Sequence, residues 1–70
     1  ANDIKAYVQD NEIIVVLGDL NANVVISDMS GKQIKSKQGN GTLRFSVNKG
    51  AYVVTVLNTN SSKSEKVIVE

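Results

Sequence analysis

Cysteine, histidine, proline and tryptophan are all absent from this chain of 70 residues. Without cysteine there is no disulfide and no thiolate-bound metal to staple a small core. Without histidine the chain lacks the usual general base and the commonest zinc ligand. Ser-His-Asp and Cys-His catalytic constellations are therefore excluded. A charge of one sign is missing as well. Eight basic residues stand against seven acidic ones, a net charge of +1, so no strong field points to nucleic acid or to an anionic membrane. No run approaches the ~18 apolar residues of a membrane-spanning helix, and no signal-peptide pattern opens the chain. The length allows one domain, near the lower limit for a chain that folds unaided.

What is present is a β pattern. Turn signals recur every eight to twelve residues or so, the spacing of an all-β sandwich or barrel. Between them lie segments rich in valine and isoleucine, whose branching at Cβ restricts χ1 and suits a pleated surface. The pattern predicts about seven strands, at 4–8, 12–17, 22–28, 32–38, 42–48, 51–58 and 63–69. Asp10-Asn11 and the stretch from Gly18 to Asn23 offer side chains that bond their own backbone and tolerate positive φ. Asp28-Met29-Ser30-Gly31 suits a type I turn followed by a glycine bulge. Gly39-Asn40-Gly41 reads as a tight hairpin, Asn48-Lys49-Gly50 as a further turn, and 58–62 as a polar loop. No segment holds a 3.6-residue apolar period, so no helix is expected.

Period-two alternation assigns the faces. Leu43, Phe45 and Val47 share a side, as do Tyr52, Val54 and Val56, Val24 and Ile26, and Val67 and Val69. With Ile13, Val15, Leu17 and Ile34 these form the expected core. Lys32, Lys35 and Lys37 crowd the strand around Ile34, which marks it as a protected sheet edge.

Motifs with chemistry dissolve on inspection. Asp19-x-Asn21-x-Asn23 starts like a calcium loop, but Val24 stands where the glycine belongs and Ser30 where the bidentate acid belongs. Asn40-Gly41-Thr42 and Asn60-Ser61-Ser62 fit the glycosylation pattern, which is short enough to arise by chance. Asp28 reads as a turn cap rather than a metal ligand. No carboxylates are paired for acid-base work, so no enzyme activity, metal or cofactor is expected. One feature resists the plain reading. Ile13-Ile14-Val15-Val16-Leu17 is apolar on both faces, and Val25, Val53, Leu57 and Ile68 fall on outer faces. Either these are simply good strand formers or they dock on a preceding domain or a partner.

Three segments look familiar together. Val24-Val25-Ile26-Ser27-Asp28-Met29-Ser30-Gly31-Lys32-Gln33-Ile34 resembles the V-x-I-x-D-x-x-G-K-x-V segment of the C-terminal sorting domains of type IX secretion cargo in the Bacteroidetes. The stretch from Val47 to Val56 resembles their L-x-x-G-x-Y-x-V-x-V segment, and Lys66 to Glu70 resembles their closing K-x-x-V-x run. The resemblance covers roughly residues 22–70, in the family's order and spacing. It implies an immunoglobulin-like antiparallel β-sandwich of about seven short strands, a single domain over residues 1–70. That domain would be the C-terminal module of a longer exported protein.

In such proteins the module is an address rather than an enzyme, recognised by the outer-membrane translocon and commonly removed by a sortase-like peptidase. The implied motif residues are Asp28, Gly31, Lys32, Gly50, Tyr52, Lys66, Val67, Ile68 and Val69. The implied partners are the secretion translocon or the preceding domain of the same protein, with the module itself monomeric and not inserted in a membrane. The implied location is the cell surface or the medium, reached through the periplasm of a Gram-negative bacterium. The alternative is a structural or adhesive immunoglobulin-like module that packs on its parent protein or binds a surface partner.

Overall fold

A computed structural model describes residues 4–58 and 62–70, so part of the expected 58–62 loop and of the Asn60-Ser61-Ser62 motif lies outside the described residues. The described residues are all-β. Five strands run in chain order: β1 Lys5–Gln9, β2 Glu12–Asp28, β3 Gln33–Ser46, β4 Gly50–Leu57 and β5 Ser62–Val69. All pairings are antiparallel.

The seven expected segments become five strands because four of them fuse in pairs. β2 joins 12–17 to 22–28, and β3 joins 33–38 to 42–46. The two long strands pair with each other from end to end, Glu12 opposite Ser46 and Ser27 opposite Gln33. Gly39-Asn40-Gly41 therefore bends a strand and does not reverse the chain, as a hairpin would. Both halves of β3 find their partner in β2 and not in each other. Across the bend, six steps of β2 from Val16 to Ala22 face three steps of β3 from Thr42 to Gly39. Extra residues on one strand curve it and strengthen its twist. The odd difference also shifts the inward positions of β2 from 13, 15 and 17 to 22, 24 and 26.

Bending lets the other edge of β2 serve two strands in succession. Its first half pairs with β1 and its second half with β4, which in turn pairs with β5. The sheet curls so that both halves bury a face in one cluster. Ile13, Val15, Leu17 and Phe45 of the first half meet Val24, Ile26, Tyr52, Val54, Val56, Val67 and Val69 of the second. Ile4, Ala6 and Val8 of β1 pack against it. Burying each such side chain contributes ~1.5–3 kcal/mol, which is how so short a chain offsets its conformational entropy.

Two turns match their chemistry. Asp10 and Asn11 both hold positive φ, 53° and 62°, between the paired residues Gln9 and Glu12. This is the twist-matched two-residue hairpin. At the β2–β3 turn the Gly31 amide donates to the Asp28 carbonyl at 3.1 Å, and Gly31 sits at φ 94°. A side chain there would strain the backbone.

Two core expectations are corrected. Ile34 is 43% exposed, because β3 slips register between its partners Ile26 and Ser27 and leaves Ile34 unpaired. Ile14 is fully buried although it is outside the central cluster. Tyr7 and Arg44 lie opposite it on the neighbouring strands, and Arg44 reaches Glu12 at 3.5 Å. Leu43 and Val47 are half-buried at the margin of the core. The edge assignment holds: among the described residues β3 pairs only with β2, and Lys32, Lys35 and Lys37 are all exposed.

Candidate functional site, a row across three strands

The three resembling segments are far apart in sequence, and antiparallel pairing brings them side by side. Asp28 on β2 faces Tyr52 on β4, and Tyr52 faces Val67 on β5. Gly50 faces Val69 two residues further along. Gly31 and Lys32 follow in the turn that Asp28 opens. Eight of the nine motif residues thus gather at one end of the sheet's second half, with Lys66 opposite Val53 beside them.

Asp28 organises the turn. One carboxylate oxygen accepts from the Ser30 hydroxyl at 2.6 Å, the Ser30 amide at 2.9 Å and the Lys32 amide at 3.0 Å. The Asp28 amide in turn donates to the Lys32 carbonyl at 2.9 Å. The Ser30 hydroxyl bond, followed by the Lys32 amide bond, holds the acid below its ordinary value, because these donors favour the charged form. This is a structural carboxylate, its Oδ1 engaged by three donors of the turn. Lys32 enters the motif through its backbone.

Gly50 and Tyr52 work as a pair. The Tyr52 ring folds back toward Gly50, whose hypothetical Cβ would lie 3.6 Å from the phenolic oxygen. From there the hydroxyl donates to the Asn48 carbonyl at 2.8 Å. Gly50 is held at φ 151°, a conformation rare for residues with a side chain. A Cβ would meet the ring only in ordinary contact, so it is the backbone conformation at Gly50, and not crowding by Tyr52, that calls for glycine.

Val67 and Val69 face inward and are buried, while Ile68 is 57% exposed on the other side and Lys66 is exposed. The motif residues therefore divide into those that build the end of the sheet and those that a partner can touch. Lys66 and Ile68 belong to the second group. Two open clefts flank this end. One, of about 390 Å³, is lined by Ile34, Lys35, Ser46, Val47, Asn48 and Tyr52. The other, of about 510 Å³, lies between Val8, Asp10 and Asn11 and the end of β5 at Ile68 and Glu70. Among the described residues no group of three acidic side chains converges as a metal site would require.

Sequence reasoning missed Asn48 and Ser30. Asn48 contributes only a carbonyl, which any residue supplies, so its type carries no signal. Ser30 was legible in principle, since a hydroxyl two residues after an aspartate completes an Asx-type turn.

A search of curated proteins finds no match. Residues 8–70 match the family described as the secretion system C-terminal sorting domain. Its members are recognised by the type IX secretion system and are attached to the cargo they sort. They act as signals and not as catalysts, and they mark proteins for the cell surface or the extracellular space. With nearly the whole chain covered, including the row from Asp28 to Val67, this chain belongs to the secretion system C-terminal sorting domains.

Proposed function

We propose that residues 1–70 act as one monomeric, non-catalytic module of a Bacteroidetes surface protein, and that Asp28, Gly31, Lys32, Gly50, Tyr52, Lys66, Val67, Ile68 and Val69 carry its signal. The observation that carries this reading is the alignment of Asp28, Tyr52 and Val67 in one row across three strands. In it Asp28, Gly31, Gly50, Tyr52, Val67 and Val69 act indirectly, by fixing the end of the sheet, and Lys66 and Ile68 are what the translocon touches. The absence of histidine and cysteine supports a role without catalysis. The seven segments, curled into two halves over one core, support an immunoglobulin-like sandwich in which β2 and β3 each serve both layers. Val25, Ala51 and Val53, half-buried on the outer side of the second half, favour packing against the preceding cargo domain as a further contact.

Fusion of residues 1–70 to a periplasmic reporter in a type IX-competent host tests the reading. The fusion is expected at the cell surface or in the medium. Retention of the intact, folded fusion in the periplasm rejects it.

A further inference from the structure

Among the described residues three edges have no ladder partner, on β1, β3 and the far side of β5, with β1 lying beside β5. Unpaired edges invite pairing, and proteins guard them with charge, bulges or shortness. β1 is only five residues long. β3 is guarded in its first half. Lys35 and Lys37 lie opposite Ile26 and Val24, so they occupy the core side of the edge. The Lys37 amine also reaches across the bend of β3 to donate to the Arg44 carbonyl at 2.6 Å, and sits 5.3 Å from the centre of the Phe45 ring. The first half of β5 carries the same device, with Lys63 and Glu65 opposite Val56 and Val54.

The guard stops at Lys66. Beyond it, Val67 and Val69 fill the core side and Ile68 stands out on the other, so the last stretch of β5 is apolar on both faces. Its pairing with β4 is regular, without a register shift from Ser62 to Val69. Beside it opens the cleft where Val8 and Ile68 meet the acidic side chains of Asp10 and Glu70.

Resting on the sorting function, we propose that the free edge of β5 from Lys66 to Val69 takes up an extended strand of the secretion machinery. Main-chain hydrogen bonds supply the binding, and side chains at alternate positions supply the choice. The occupant is apolar where it runs beside Ile68 and basic where it passes Asp10 and Glu70.

Export of the 1–70 reporter fusion tests this with backbone variants. Alternate residues of an edge strand turn their amide toward the neighbour strand and away from it. One of Lys66→Pro and Val67→Pro therefore keeps the β4 ladder and, against its own alanine counterpart, loses only an outward donor, and melting curves identify which. Export of that folded variant is expected to fall about fivefold below its alanine counterpart, the scale of losing one backbone hydrogen bond in a complex. The double variant Asp10→Asn/Glu70→Gln is expected to melt like the parent and to be exported severalfold less.

Export of the folded proline variant at the level of its alanine counterpart overturns the proposal. If both proline variants unfold, parental export of the charge-neutral double variant overturns it instead. A parental chain that sediments as a dimer, with the dimer lost in the folded proline variant, makes a second copy the occupant and also overturns it. An unexported parental fusion rejects the sorting function itself, a result separate from either.

Discussion

The Tyr52 hydroxyl donates a 2.8 Å hydrogen bond to the carbonyl of Asn48, four residues upstream, with the ring laid over Gly50. This clamp fixes where β4 begins and so sets the register in which Tyr52 meets Asp28 and Val67. Tyr52→Phe keeps the buried ring and removes the bond, and is expected to destabilise by ~1 kcal/mol. Gly50→Val adds a branched side chain to a backbone at φ 151° and should lose more, ~1–3 kcal/mol. Urea titrations of the two variants check the order. A Tyr52→Phe loss larger than that of Gly50→Val contradicts the account.

Gly31 tests the other turn. Open space surrounds it, so only its φ of 94° resists a side chain. Gly31→Val is expected to destabilise by ~1–2 kcal/mol, through backbone strain alone. Gly31→Asn, which tolerates positive φ better, should recover part of that loss. Equal melting temperatures for the parent and Gly31→Val would remove the strain argument.

Asp28 supplies a pH signature. Its acid is held below the ordinary value, chiefly by the Ser30 hydroxyl and then by the Lys32 amide. A lowered folded pKa means that the charged form is favoured by folding. Its contribution is therefore full above the unfolded pKa and disappears as the pH falls through the folded one. Asp28→Asn should melt below the parent at neutral pH, and the two should converge in strong acid. Because the group is exposed, the gap should shrink in high salt. A gap that stays constant down to strong acid assigns the effect to something other than this carboxylate.

On β5, adjacent substitutions should part company. Val67→Asp places a charge in the core opposite Tyr52 and is expected to unfold the module, since it forfeits ~1.5–3 kcal/mol of burial and adds desolvation. Ile68→Asp lies on the exposed side and should leave melting nearly unchanged while export falls. Circular dichroism and the reporter assay separate the two. Unfolding by Ile68→Asp alone would reverse the assigned faces.

The lysines of β3 are expected to act on association rather than on stability. Lys35→Thr/Lys37→Thr removes the inward charges and the Lys37 contacts with Arg44 and Phe45. Melting should change by ~1 kcal/mol or less. Sedimentation should show self-association that the parent lacks at the same concentration, and its absence would show that these lysines do not guard the edge.

Much of this was legible from local chemistry. Alternation put Val67 and Val69 inside and Ile68 outside, because a period of two leaves no other choice once one face is buried. Asp10-Asn11 and Asp28 to Gly31 announced their turns, since few residues hold positive φ or bond their own backbone. Lysines on a thinly apolar strand announced an edge. The resembling segments announced the family.

Other features depend on distant partners and could not be read along the chain. Gly39-Asn40-Gly41 has the composition of a hairpin, yet whether it reverses or bends depends on where β2 lies. Ile34 alternates like a core residue, but a register slip against Ile26 and Ser27 turns it out. Ile14 occupies an outer position, yet it is fully buried where β1 and β3 set Tyr7 and Arg44 on either side of it. The sequence by itself determined an all-β chain, its turns and the sides of its strands, because those follow from backbone preference and period. Tertiary structure alone decided that seven segments become five strands and that Asp28, Tyr52 and Val67 form one row. Both follow from antiparallel pairing between residues that the chain keeps far apart.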